Sequence, residues 1–395
     1  MKNSFLIFSV GLILLIHLAC TQNYSVPPVS PSGGSSPAFT QTNTPIFTST
    51  NTFSPTATST IGLALTATPT SSPTPTFTGT TPATATWTAT PPATSTPTAT
   101  YSPAITATPT VTSTATPIQP LLTWGSQGTG NGQFTLIDGI TVDAAGNVYA
   151  SDPDRVEKFD NNGNYILQWG SYGTTAGLFR GNGPLAVDTS GNIWVMDVGN
   201  YRAEEFTNTG TYESQLGSQG NNPGQIQQVE GMAIDGSNNL YMTDNSHYLV
   251  VKYLTTNGFY ETSWGSFGYS APSTPNIVGI AANTDVYVSD LSLQQILVFS
   301  NTGTFIRSWG SYGSGPGQFN DPVGVALDTS GNVYVSDILL NTVQKFTPTG
   351  TLLKTWGGTG SGPGQLNTPI ALAVDSNGNI FVADEGNYRI VKFGP

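Results

Sequence analysis

From residue 121 onward, apolar residues fall in short runs of four to seven, separated by polar, glycine-rich punctuation. One unit shows the order. "VGVALD" leads through the turn "TSGN" into "VYVSD"; a loop follows, then "TVQKFT", the turn "PTG" and "LLKTWG". Runs of this length, rich in Val, Ile, Tyr and Phe and bounded by Gly, Asn and Asp, predict four antiparallel strands per unit. No stretch holds a helical period.

The unit recurs. An acid closes the second run at Asp152, Asp197, Asp244, Asp290, Asp337 and Asp384, and a Trp-Gly pair closes the fourth at Trp124, Trp169, Trp264, Trp309 and Trp356, with Leu216 in the Trp place once. Successive acids lie 45 to 47 residues apart. Four-stranded units at this period predict an all-β fold, a six-bladed β-propeller. Small residues in the first run (Gly324, Val325, Ala326) suit the crowded axis, and the Trp suits the wider space between blades. The chain ends predict closure. "LLTWG" at 121–125 is a fourth strand without its first three, and "IVKFGP" at the C-terminus is a third without a fourth. The opening strand is expected to pair with Ile390–Phe393, which removes two sheet edges.

The preceding residues change the picture. Residues 21–120 are mostly Thr, Pro, Ser and Ala with scattered apolar residues and no charged residue, the composition of an extended, solvated, disordered linker. Residues 1–20 carry Lys2, an apolar run from Phe5 to Ile16 and the single cysteine, Cys20. A run this short predicts a secretory signal rather than a spanning helix. Cys20 directly after Ala19 resembles the lipobox of bacterial lipoproteins, with His17 where an aliphatic residue is usual. That resemblance implies lipidation of Cys20 and anchoring to the bacterial cell envelope, with an ordinary cleaved signal or an uncleaved anchor as alternatives. One cysteine excludes an internal disulfide. The chain has 23 acids against 11 Lys and Arg, one of them Lys2, a balance that argues against nucleic acid as a partner.

Copies five and six, "GSGPGQFNDPVGVALDTSGNVYVSD" and "GSGPGQLNTPIALAVDSNGNIFVADEGNYRIVKF", carry a G-x-G-x-G-Q-F…D-x-x-G-N-(V/I)-Y-V-(S/A)-D-x-x-N-x-R pattern that resembles the NHL repeat. The resemblance spans 121–395 and implies the six-bladed propeller. It implies no single activity, because the family includes protein-binding, RNA-binding, sensor and zinc-dependent lyase members. The departures are informative. The repeat arginine stands at Arg155, Arg202 and Arg389, and Leu249, Gln295 and Thr342 replace it elsewhere. The first acid of the repeat stands at Asp143, Asp188, Asp235, Asp328 and Asp375, and Asn283 replaces it in copy four before a shortened turn.

Six equivalent aspartates point to turn-holding, since an Asp at a strand end accepts loop N–H groups, whereas a catalytic acid needs an environment of its own. The zinc lyases use several histidines, and only His17 and His247 exist here. No metal set, cofactor motif or catalytic residue is legible, and His247 is expected to be a solvated loop residue. Function is therefore expected on the face built by the fourth-to-first and second-to-third strand connections, where copies differ most. Its candidate ligand-binding residues are Tyr172, Tyr201, Arg202, Tyr248, Tyr269, Tyr312, Tyr388 and Arg389, since Tyr and Arg anchor many recognition surfaces. The expected role is non-catalytic binding of an extracellular or envelope protein, peptide or glycan. The alternatives are an extracytoplasmic hydrolase or lyase using the channel mouth, and a structural or adhesive envelope component.

Overall fold

The structure is a computed structural model and describes residues 118–265 and 275–395. The predicted signal (1–20) with Cys20, nearly all of the predicted linker (21–120) and Tyr269 lie outside the described residues.

Six four-stranded antiparallel sheets follow one another along the chain. The chain enters through β1 (Leu122–Trp124). Blade 1 is β2–β5 (Gly139–Val142, Val148–Asp152, Arg155–Phe159, Tyr165–Trp169). Blade 2 is β6–β9 (Asn182–Val187, Ile193–Asp197, Arg202–Phe206, Tyr212–Leu216). Blade 3 is β10–β13 (Val229–Ile234, Asn239–Asp244, Leu249–Leu254, Phe259–Trp264). Blade 4 is β14–β17 (Ile277–Ala282, Asp285–Asp290, Gln295–Ser300, Phe305–Trp309). Blade 5 is β18–β21 (Pro322–Leu327, Val333–Asp337, Thr342–Phe346, Leu352–Gly357). Blade 6 is β22–β24 (Pro369–Val374, Ile380–Asp384, Arg389–Phe393), and β1 completes it. The clasp pairs Leu122 with Lys392, Thr123 with Val391 and Trp124 with Ile390. The predicted closure is thus present.

The core sits between blades. Six apolar clusters fill the ring: five mix side chains of two successive blades, and the one between blades 6 and 1 also takes in Val278 and Leu291 of blade 4 and Val323 and Ile338 of blade 5. Near the axis a small residue of one blade meets a large one of the next: Ala233 packs with Ile280, Ala281 with Val325 and Ala373 with Ile140. Further out, four of the five closing Trp residues, and Leu216 in the Trp place, lie on the glycine of the next blade's outer turn. A Cβ on Gly163 would come within 2.8 Å of Trp124, and one on Gly210 within 2.9 Å of Trp169. These glycines also have positive φ, 77° and 83°, so turn geometry and close approach both require them.

A hydroxyl on the second strand ties blades together near the axis. Ser151 donates to Gly183 O of the next blade at 2.8 Å, Thr243 to Val278 O at 2.6 Å and Ser289 to Val323 O at 2.8 Å. Each tie pairs with a first-strand glycine (Gly139, Gly231, Gly279) whose Cβ would strike that same carbonyl at 2.6, 2.2 and 1.9 Å. In blades 2 and 6 the glycine gives way to Pro184 and Ala371, and the hydroxyl to Met196 and Ala383. Glycine and hydroxyl change together because the tie needs the close approach.

Candidate functional site

The second-strand aspartates are buried beneath the loop face, and their oxygens hold loop backbone. Asp337 accepts from the N–H groups of Asn320, Asp321, Leu339 and Leu340. Asp152 takes the N–H groups of Thr135 and Leu136 and the Thr135 hydroxyl. Asp197 and Asp384 each combine one loop N–H with an Asn amide and an arginine Nε, from Asn200 and Arg202 and from Asn387 and Arg389. Asp244 accepts from Gln227, Gln228 and His247 N–H.

The repeat arginines turn inward. Arg155 donates to the carbonyls of Thr129 and Gln133 at 2.7 Å each, and Arg389 to those of Ser361 and Gln365 at 2.8 and 2.9 Å. Arg202 donates to Thr175 and Leu178 at 2.9 and 3.0 Å and is only 8 % exposed. Arg202 and Arg389, expected as ligand contacts, are thus engaged within their own loops. Their guanidinium groups are spent on their own loops, because a planar fork of N–H donors matches several carbonyls at once. Two buried glutamates complete these networks. Glu157 pairs with Arg155 at 2.9 Å, and Glu204 with Arg202 at 3.1 Å. Burial pushes the Glu204 carboxyl up to about 7, although Arg202 and the Gly177 N–H oppose the rise. Both were legible as charged residues in a run that is otherwise apolar inside: "RVEKF" and "RAEEF" against "LVVKY" and "RIVKF".

Asp290 in blade 4 stands apart. It is fully buried, its Oδ1 accepts from Ser292 and Leu293 N–H and the Asn276 N–H also faces the carboxylate, but Oδ2 has no partner among the described residues. The register supplies the reason. Ile277 pairs with Asp290 as Pro322 pairs with Asp337, so Pro275 occupies the place of Asn320. Proline has no N–H to give. The repeat arginine is also absent, replaced by Gln295, whose amide turns to Gly310 O. Burial with fewer donors lifts the Asp290 carboxyl to about 6.

His247 occupies in blade 3 the place of Asn200 and Asn387. Its Nδ1 lies 2.7 Å from Asp244 Oδ2 and its Nε2 2.9 Å from Asn221 Oδ1. It is thus a bridge within the loop, not a solvated side chain. Beside it a cavity of about 170 Å³ is lined by residues 221–225, His247, Leu249, Val251 and Ser263.

The tyrosines divide into two sets. Tyr172 and Tyr312 are each 68 % exposed, at matching positions in the loops entering blades 2 and 5, on opposite sides of the ring. Each loop is pinned by a parallel bridge, Tyr172 to Phe179 and Tyr312 to Phe319. Tyr201, Tyr248 and Tyr388 sit in the second-to-third connections with left-handed φ of 58°, 57° and 55°, where blade 5 uses the less costly Asn341. Tyr248 is exposed, whereas Tyr201 and Tyr388 are half-buried. The structure does not bring these tyrosines into one cluster; they are distributed around the face.

The axial channel, about 220 Å³, is lined by first-strand residues that are apolar except for Thr141. Among the described residues no group of three or more His, Cys, Asp and Glu side chains comes together as a metal site requires.

The NHL repeat model matches residues 366–393. No curated protein matches the chain by sequence. Among solved structures, a structural-genomics protein of unknown function from Bacteroides thetaiotaomicron is 17 % identical, with TM-score 0.54 over 69 % of this chain and 74 % of that one. A streptogramin B lyase is 15 % identical, with TM-score 0.49 over 68 % of this chain and 95 % of its own. Virginiamycin B lyase from Staphylococcus aureus is 14 % identical, with TM-score 0.47 over 65 % and 94 %.

Proposed function

Taking the chain as a six-bladed β-propeller that carries an NHL repeat, we propose that its loop face is a non-catalytic binding surface for an envelope or extracellular protein, peptide or glycan. The observation that carries this reading is the pair Tyr172 and Tyr312, exposed on loops pinned to a rigid ring. Preformed loops lose little conformational freedom on binding, and tyrosine adds contact area at small entropic cost. Five of the six repeat acids support the same reading, since backbone and side-chain donors occupy their oxygens. In this proposal Cys20 is the lipid anchor to the bacterial cell envelope, and residues 21–120 space the ring away from the membrane.

The test is binding of full-length wild type and of Tyr172→Ala/Tyr312→Ala to isolated cell-envelope fractions. The double variant should lose at least tenfold in affinity with an unchanged melting temperature. Undiminished binding would remove the loop-face reading. One observation favours the alternative of a hydrolase or lyase: Asp290 is an acid with an environment of its own, held near 6 by burial. Turnover of an envelope substrate that disappears in Asp290→Asn would replace the binding reading with that one.

A further inference from the structure

We propose that the cavity in blade 3 is a vacated arginine site that takes a guanidinium group from outside, the arginine side chain of a peptide. This rests on the loop face being a binding surface and names one chemistry it recognises.

The other blades supply the template. In blades 1, 2 and 6 the loop entering the blade turns backbone carbonyls inward, and the repeat arginine fills them. Arg155 reaches Thr129, Gly130 and Gln133; Arg389 reaches Ser361, Gly362 and Gln365. The same loop enters blade 3 as Gly220–Ile226, with the same parallel bridge, from Gln219 to Ile226. Its glutamine makes the same brace: Gln225 Oε1 accepts the Asn222 N–H at 3.0 Å, as Gln133 accepts Gly130 and Gln365 accepts Gly362. The cradle is therefore kept. Its occupant is not. Leu249 stands where Arg155, Arg202 and Arg389 stand, and Val251 where Glu157 and Glu204 stand.

Both replacements line the resulting cavity, together with residues 221–225. Among the described residues, no donor reaches the carbonyls of Asn221 and Gln225, the counterparts of Thr129 and Gln133. Blade 5 shows a different solution to the same loss. There Gln344 extends its amide to Gln318 O at 2.9 Å and takes the Gly317 N–H at 2.9 Å, so the loop is satisfied from within. In blade 3 the Tyr253 hydroxyl donates to Gly224 O, but among the described residues no side chain takes up the carbonyls of Asn221 and Gln225, and the space beside them stays open.

The lining defines the ligand. Leu249 and Val251 offer an apolar wall for a side-chain stem, and the loop carbonyls present acceptors at the spacing that three internal guanidinium groups already fit. A planar fork meets such acceptors together, whereas an ammonium group presents one compact point of charge. Asp244, fully buried below His247, and the chain's net charge of −12 favour a cation.

The full-length chain is titrated with Nα-acetyl-arginine methylamide and with its lysine counterpart, followed by calorimetry and by the methyl resonances of Leu249 and Val251. The arginine probe should bind saturably and shift both methyl sets, with the lysine probe at least tenfold weaker. Leu249→Arg/Val251→Glu rebuilds the arrangement of Arg202 and Glu204, and should lower affinity for the arginine probe at least tenfold. Leu249→Phe fills the cavity without charge and should do the same, which covers a failure of the charged pair to fold. Absence of saturation in the wild type, equal binding of the lysine probe, or full affinity in either folded variant overturns the proposal. Tyr172→Ala/Tyr312→Ala leaves blade 3 intact. Loss of envelope binding in that variant with arginine binding retained would show the two readings standing separately.

Discussion

Blades 4 and 5 are neighbours built to one plan, yet their closing aspartates live in different worlds. Asp337 is surrounded by four backbone N–H groups. Asp290, equally buried, has three, from Ser292, Leu293 and Asn276, and among the described residues its Oδ2 has no partner, since Pro275 stands where Asn320 donates. The lesson is that a repeat letter does not carry a fixed electrostatic role. One proline in the incoming loop converts a structural carboxylate into a strained one, with the strand, register and acid unchanged.

The largest expected effect comes from breaking the satisfied side of this pair. Asp337→Ala leaves four N–H groups without their acceptor beneath the loops, and should cost on the order of 3 kcal/mol in denaturant unfolding. Asp290→Ala, with fewer donors to orphan, should cost clearly less. Equal losses would show that the two acids do the same work.

The next effect has the opposite sign. A carboxyl raised from 3.8 to about 6 on folding binds its proton more tightly in the native state. Its charged form therefore weakens the fold above pH 6, and stability is recovered as pH falls from about 6 toward 4. Asp290→Asn should thus stabilise at pH 8 by about 2 kcal/mol, from a shift of roughly two pH units at 1.36 kcal/mol each less some imperfect repacking. Near pH 4 the gain should vanish. Unfolding at both pH values checks this, and a gain that does not change with pH would contradict the account.

The smallest effect restores the missing donor. Pro275→Ala returns an N–H to the place of Asn320, and should move Asp290 toward an ordinary carboxylate with a gain of about 1 kcal/mol at pH 8. In an Asp290→Asn background that gain should disappear, and a double-mutant cycle reads the coupling directly.

The six blades were legible because they depend on local signals repeated six times, strand runs, turn residues and a closing acid, and the clasp because one end supplies a lone fourth strand and the other the first three. Side-chain direction was not legible. Arg202 and Tyr172 both read as loop-face residues, yet one is folded into its loop and the other stands in solvent. The difference lies in carbonyls contributed by residues 24 to 27 positions away, which only the folded loop aligns. His247 was read as solvated for the same reason, since its two partners, Asp244 and Asn221, meet only in the ring. The donor missing from Asp290 is written in the sequence as Pro275, but recognising it needs the register between that loop and the strand-ending acid.

The clasp has a mechanical meaning as well. The strand that closes the ring is also the one through which the chain ahead of residue 118 enters it. Any tension along that leading chain passes first into β1, a three-residue strand on the outer edge of blade 6. The joint that makes the propeller a ring is therefore also the first to carry that load.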